Sequence, residues 1–250
     1  MARLVLLSGP SCVGKGPLVS ALRRHHPELA AQLVPLVLHN SRAPRQGEAD
    51  GVDYHFRSRA EIERLASSPG FVACDVRGDF QGLELAMIDG VLDSGHDAFF
   101  EGNPFIPEML REAGVLDRYP TLTVFLSPLT RDEIVYLRDP ARRVDLASFV
   151  ADVMRRKLLA RTVREKTHLS QLDLANIERR ATSAIAELGY AYRSDHVIPN
   201  HDGEGSENWD AFYYPVGDAF LALGSFAALL RGQPSARVEN WETDLVPMMD

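Results

Sequence analysis

Residues Leu4-Val5-Leu6-Leu7-Ser8-Gly9-Pro10-Ser11-Cys12-Val13-Gly14-Lys15-Gly16-Pro17-Leu18 decide the fold. The four aliphatics read as a buried strand, too short for the core of a signal peptide. Gly9 to Lys15 spells G-x-x-x-x-G-K, and a helical pattern over 18–26 follows. Strand, glycine-rich turn and helix in that order make a phosphate loop. Glycines let the backbone curl until successive N–H groups face one anion, and the helix N-terminus adds its partial positive charge. Lys15 then reaches the β- and γ-phosphates of a nucleotide. The stretch predicts ATP binding by Gly9, Pro10, Ser11, Cys12, Val13, Gly14, Lys15, Gly16 and Pro17. One position departs from the pattern. The Ser or Thr whose hydroxyl holds Mg2+ is Gly16 here, which leaves the ion to ATP oxygens, waters and an acidic side chain. Pro17 is tolerated in the first helical turn, where its missing N–H would be an orphan anyway.

Further apolar runs at 98–100, 122–126 and 196–198 read as strands. Helical patterns cover 60–67, 87–92, 107–113, 132–138, Leu146–Glu165, 176–192 and 219–230. The runs 71–74 and 80–85 fit neither period cleanly. Strands alternating with helices predict an α/β fold with a largely parallel sheet flanked by helices. The tail after Gly232 reads as a surface extension. The chain of 250 residues is 45% hydrophobic with a net charge of −8, which argues against general affinity for nucleic acid. The two cysteines, Cys12 and Cys74, have neither zinc-ligand spacing nor a disulfide framework, and fit a reducing, cytoplasmic setting. No apolar run approaches the roughly 18 residues that span a bilayer. The expected partner is a small molecule, with no nucleic acid and no membrane, and the protein is expected to be a monomer or homodimer.

A second constellation follows: Ser41-Arg42-Ala43-Pro44-Arg45-Gln46-Gly47-Glu48, then Asp50-Gly51-Val52-Asp53-Tyr54-His55-Phe56. Arg42 and Arg45 are suited to clamp a second phosphate, because the planar guanidinium binds phosphate oxygens in pairs. Taken alone, the pair also reads as a solvated turn. Together the two segments resemble guanylate kinase, which carries G-P-S-G-x-G-K and then T-R-x-P-R-x-G-E-x-x-G-x-D-Y-x-F. The resemblance resumes at Asn176-Ile177-Glu178-Arg179-Arg180, similar to the helix returning from that family's lid, and at His196-Val197-Ile198-Pro199-Asn200. It implies a P-loop kinase with a small acceptor-binding subdomain and a helical lid, using ATP and Mg2+. The implied organisation is one domain over 1–250: a core at about 1–36, 94–130 and 181–232, an acceptor subdomain at 37–93, a lid at 131–180 and a tail at 233–250. By the same resemblance Arg42, Arg45 and Tyr54 hold the acceptor's phosphate, and Asn200 lies near the adenine. Lys15 and Arg180 neutralise the transferring phosphoryl group, with Arg138 and Arg142 or Arg143 at the other end of the lid.

The resemblance also has gaps. The family reads guanine with a Glu, a Tyr, a Ser or Thr, and an early Ser. These positions fall on Ala73, Gln81, Leu83 and Leu38. Asp75 is the nearest replacement carboxylate, about 7 Å along the strand from the lost one, and Asp75, Gln81 and Glu101 complete the acceptor set. Glu101 stands at the end of a strand, where it either orients magnesium through water, serves as a base toward the acceptor, or caps the next helix. No residue is assigned as a direct metal ligand. The lid is enlarged by Leu146–Glu165, rich in Arg155, Arg156, Lys157, Arg161 and Arg164. Three activities fit: transfer of the γ-phosphoryl group of ATP to a nucleoside monophosphate, a small-molecule kinase with a non-guanine acceptor, or a catalytically inactive interaction module. The intact loop lysine and glycines weigh against the last.

Overall fold

The computed structural model describes residues 1–45 and 47–247. Gln46 of the arginine motif and the last three residues of the tail lie outside the described part. In chain order the elements are β1 (Leu4–Ser8), α1 (Lys15–His25), α2 (Pro27–Ala30), β2 (Leu33–Pro35), β3 (His39–Asn40), β4 (His55–Phe56), α3 (Arg59–Ala66), β5 (Phe71–Val76), β6 (Asp79–Glu84) and α4 (Leu85–Asp93). There follow β7 (Asp97–Gly102), α5 (Phe105–Glu112), β8 (Thr121–Ser127), α6 (Arg131–Arg138), α7 (Leu146–Glu165), α8 (Gln171–Thr182), α9 (Ala184–Leu188), β9 (His196–Pro199) and α10 (Gly217–Leu230). The main sheet has the order β2-β7-β1-β8-β9, with β2 parallel to β7 and β8 parallel to β9. Every residue of β1 is buried, as expected of a strand covered on both faces. The α/β fold with a mostly parallel sheet flanked by helices is therefore present.

The chain divides into two compact units. The first comprises Met1–Leu6, Gln32–Phe100 and Phe105–Leu122. The second comprises Leu7–Ala31, Glu101–Pro104 and the chain from Thr123 onward.

The first unit holds a second sheet, in the order β4-β3-β6-β5. The two ambiguous runs become the antiparallel hairpin β5–β6, with Ala73 opposite Gly82 and Cys74 opposite Gln81. Its turn is Arg77-Gly78, both at positive φ (57° and 91°), which matches the right-handed twist of a hairpin. Val72, Cys74, Val76 and Leu83 turn to one face and join a hydrophobic core with Leu38, Phe100, Ile106 and Met109.

In the second unit, α7 spans the residues the sequence predicts. Its N-cap is Asp145, whose side chain accepts from the Ser148 N–H. The single helix expected over 176–192 is instead α8 and α9. The start is fixed earlier by a capping box of Ser170 and Asp173. The break falls at Ser183, whose hydroxyl donates to Glu187 Oε1 at 2.8 Å. The expected surface extension after Gly232 docks instead. Trp241, Leu245 and Val246 are buried, and Val197 and Glu239 exchange both backbone hydrogen bonds at 2.8 Å. That bridge covers the outer edge of β9, an edge that otherwise presents unpaired N–H and C=O groups.

Candidate active site

Gly9 and Gly14 fix the shape of the phosphate loop. Gly9 has φ +149°, and a Cβ there would lie 2.4 Å from the Leu126 carbonyl oxygen. Gly14 has φ +106°, and a Cβ would come within 2.6 Å of Asn200 Nδ2. Cys12 is a third left-handed residue, at φ 65°, in a position that favours glycine, and its side chain is fully buried. Burial, with Glu204 nearby, pushes the Cys12 thiol up to about 11, so it stays protonated. Lys15 opens α1 and is buried. Its Nζ donates to the carbonyl oxygens of Gly9 and Pro10, each at 2.8 Å. Burial lowers its pKa, while Glu204, Glu101 and Glu187 pull the other way. Among the described residues, nothing beyond its chain neighbours and its own helix backbone lies within 4 Å of a Cβ built on Gly16.

The same unit brings other groups to this loop. Asn200 is fully buried and donates to the Val13 carbonyl at 2.7 Å and to the Asp202 carbonyl. Its amide therefore braces the loop. Glu101 keeps contact with solvent, yet crowding by protein atoms raises its carboxyl above the ordinary value against the pull of Lys15. Arg180 is half-buried on α8, and its charge acts on the Cys12 thiol. Arg161 of α7 donates to Glu204 at 2.8 Å and lies 3.8 Å from Cys12 Sγ. A cavity of about 690 Å³ opens beside Gly16 and Pro17, lined also by Ser20, Arg161, Glu204 and Trp209. The sequence reading placed Arg161 among the lid cations, a share of which it expected to close over phosphates, and missed Glu204 and Glu187. Arg161 had a signal, its spacing of four from Lys157, but a solvated helix face gives the same pattern.

Arg138 and Arg142 are engaged elsewhere. Arg138 Nη1 donates to the carbonyl oxygens of Asp244 at 2.6 Å and Leu245 at 2.8 Å, and so holds the tail. Arg142 stacks on Tyr136, 4.0 Å from the ring centroid. His201, just past Asn200, is gripped by Asp218 on Nδ1 and by Glu133 on Nε2 at 2.8 Å.

The proposed acceptor residues Arg42, Arg45, Tyr54, Asp75 and Gln81 belong to the first unit. Arg42 forms a bidentate pair with Glu48, both bonds at 2.6 Å, and its flat face lies 5.1 Å from the Tyr54 ring centroid. Glu48 also accepts from the Arg45 N–H at 2.7 Å. Burial pushes the Glu48 carboxyl up, but Arg42 and the Arg45 N–H outweigh it and hold it below the usual range. Asp75 accepts from Arg59 at 3.1 Å and from the Gly78 N–H, so it serves the hairpin. Gln81 is buried on the face it shares with Cys74. Leu38 and Leu83, which the family resemblance aligns with guanine-reading positions, are buried in the hydrophobic core.

The guanylate kinase family model matches residues 1–140. The chain is 32% identical over 216 residues to a guanylate kinase of Synechococcus sp. (strain JA-3-3Ab), covering 85% of this chain and 82% of that protein. It is 30% identical over 199 residues to one of Shewanella sp. (strain MR-7), covering 78% and 88%. The crystal structure of guanylate kinase from Anaplasma phagocytophilum shares the fold, with a TM-score of 0.54 at 18% identity over 95% of this chain and 89% of that one. A glycine-shaped loop around Lys15, on a strand and helix in this topology, and these matches lead to one assignment: the chain belongs to the guanylate kinase family and is a guanylate-kinase-like kinase.

Proposed function

We propose that the protein transfers the γ-phosphoryl group of ATP to a phosphorylated small-molecule acceptor, within the nucleoside monophosphate kinase activity of its family. The observation that carries this reading is the loop Gly9 to Lys15 with the buried Lys15 amine at its centre. Phosphoryl transfer asks for positioning and charge neutralisation, and little else from the protein. Lys15 and Arg180 neutralise the donor phosphates. Pro10, Ser11, Val13 and the other loop residues cradle them, and Asn200 sets the loop. Arg42, Arg45 and Tyr54 take the acceptor's phosphate. Glu101 faces the loop lysine and orients Mg2+ through water. Gly16 offers no hydroxyl, so ATP oxygens, waters and the Glu101 carboxylate would hold the ion. The organisation is one domain with a core, an acceptor subdomain at 37–93 and a lid at 131–180. No helix among the described residues is long and apolar enough to cross a membrane.

A second reading concerns the acceptor, and Leu38 and Leu83 favour it. Both lie in the core of the first unit, so guanine's polar edge would lose partners on the order of 1–3 kcal/mol per unpaired group. The acceptor keeps a phosphate and carries a body other than guanine. The test is kcat/KM for GMP beside other nucleoside monophosphates and sugar phosphates, with Lys15→Ala as control. Near-wild-type turnover in Lys15→Ala would end the kinase reading. GMP winning by several orders of magnitude would end the non-guanine reading.

A further inference from the structure

The lid helix α7 carries a run of basic residues, and three of them are engaged away from the phosphate loop. Arg155 pairs with Glu178 and Asp152, Arg156 donates to the Asp152 carbonyl, and Arg164 faces Glu207 at 3.4 Å. Lys157 and Arg161, one turn apart on one face, turn toward the phosphate loop. The Lys157 stem packs on Gly203, where a Cβ would lie 2.9 Å from its Cδ, and Gly203 in turn packs on the Cys12 carbonyl. Its buried Nζ has no hydrogen-bond partner among the described residues. Arg161 is held by two carboxylates: Nε donates to Glu165 at 2.7 Å and Nη1 to Glu204 at 2.8 Å. The Nη2 hydrogens have no protein acceptor among the described residues. Arg161 lines the cavity that opens beside Gly16, directly after the loop lysine.

We propose that Arg161 is a donor-nucleotide ligand, meeting the phosphate chain of ATP from the cavity side while Glu165 and Glu204 hold its fork in place. The proposal rests on the ATP-dependent kinase reading. The cavity begins at Gly16, the residue after the loop lysine, and its volume of about 690 Å³ falls in the range of small-molecule sites. A planar guanidinium fixed at two of its donors is pre-organised for phosphate oxygens. Arg138 and Arg142 are engaged with the tail and with Tyr136, so the inserted helix supplies a cation that the start of the lid does not.

The test is direct ATP binding by calorimetry on the full chain, with melting temperature as the check on folding. For Arg161→Met the Kd for ATP should rise roughly ten- to hundredfold, the loss expected of one charge-assisted contact. Arg161→Lys should recover part of that loss, and Arg164→Met, an exposed cation on the same helix, should stay within about twofold of the wild type. Wild-type affinity in a folded Arg161→Met protein would overturn the assignment. So would equal weakening in Arg164→Met, because net charge alone would then explain the effect. If Arg161→Met does not fold, Arg161→Lys decides, since it keeps the ion pair with Glu204; unchanged affinity there overturns the assignment too. Lys15→Ala separates the two readings. ATP affinity that needs Lys15 but not Arg161 removes only Arg161 from the site, whereas affinity that needs neither removes the kinase reading with it.

Discussion

The side-chain amide of Asn200 donates to the carbonyl oxygen of Val13 at 2.7 Å, linking the end of β9 to the middle of the phosphate loop. Both groups are buried, so neither can exchange its partner for water. Asn200→Ala should therefore cost about 1–3 kcal/mol, the price of an unsatisfied buried carbonyl. Asn200→Asp should cost more, since a carboxylate would face the carbonyl oxygens of Val13 and Asp202. Urea unfolding checks both. An unchanged midpoint for Asn200→Asp would show that the amide does not brace the loop.

Gly16→Ser should fold like the wild type, within about 0.5 kcal/mol, because among the described residues nothing beyond its chain neighbours and its own helix backbone lies within 4 Å of the added Cβ. The new hydroxyl stands where phosphate loops hold magnesium. The Mg2+ concentration for half-maximal turnover should fall. A higher requirement, with stability intact, would place the ion elsewhere.

Arg42→Ala and Arg45→Ala should each raise the acceptor's KM roughly ten- to hundredfold and leave that of ATP nearly unchanged. Arg42→Ala should also lower stability, because it strips Glu48 of the two bonds at 2.6 Å that offset its burial. Equal losses for both substrates would put the arginines on the donor side.

His201 supplies a pH dependence. Burial lowers its pKa, but Glu133 and Asp218 outweigh burial and raise it above the ordinary 6.5. A raised folded-state pKa gives stability that is fully present below about 6.5 and is lost as pH climbs through the higher folded value. The unfolding midpoint should therefore fall as pH rises from neutral into the mildly alkaline range. His201→Gln should flatten that slope, and parallel slopes in the two proteins would assign it to other groups.

The phosphate loop was legible because its chemistry is local. Gly9, Gly14 and Lys15 are required by the backbone curl and the anion, whatever surrounds them. The α7 boundaries were legible as one long helical stretch dense in basic residues, while the Asp145 cap that starts it shows only in the structure. The hairpin β5–β6 was not, because Phe71 to Leu85 alternates poorly and its pairing depends on partners across the Arg77-Gly78 turn. Arg161 and Glu204 are 43 residues apart and meet only in three dimensions. A basic helix face looks the same in sequence whether it meets solvent or a loop. The buried tail was hidden likewise, since Trp241, Leu245 and Val246 are spaced at no regular period.

The bridge between Val197 and Glu239 also bears on how the protein behaves at high concentration. With the tail in place, the outward N–H and C=O of Val197 are already paired, and Arg138 pins the carbonyls of Asp244 and Leu245 nearby. Shortening the chain before Glu239 would bare a strand edge flanked by apolar side chains, the usual template for self-association. Such a protein would keep every residue of the phosphate loop, and its first fault would be turbidity.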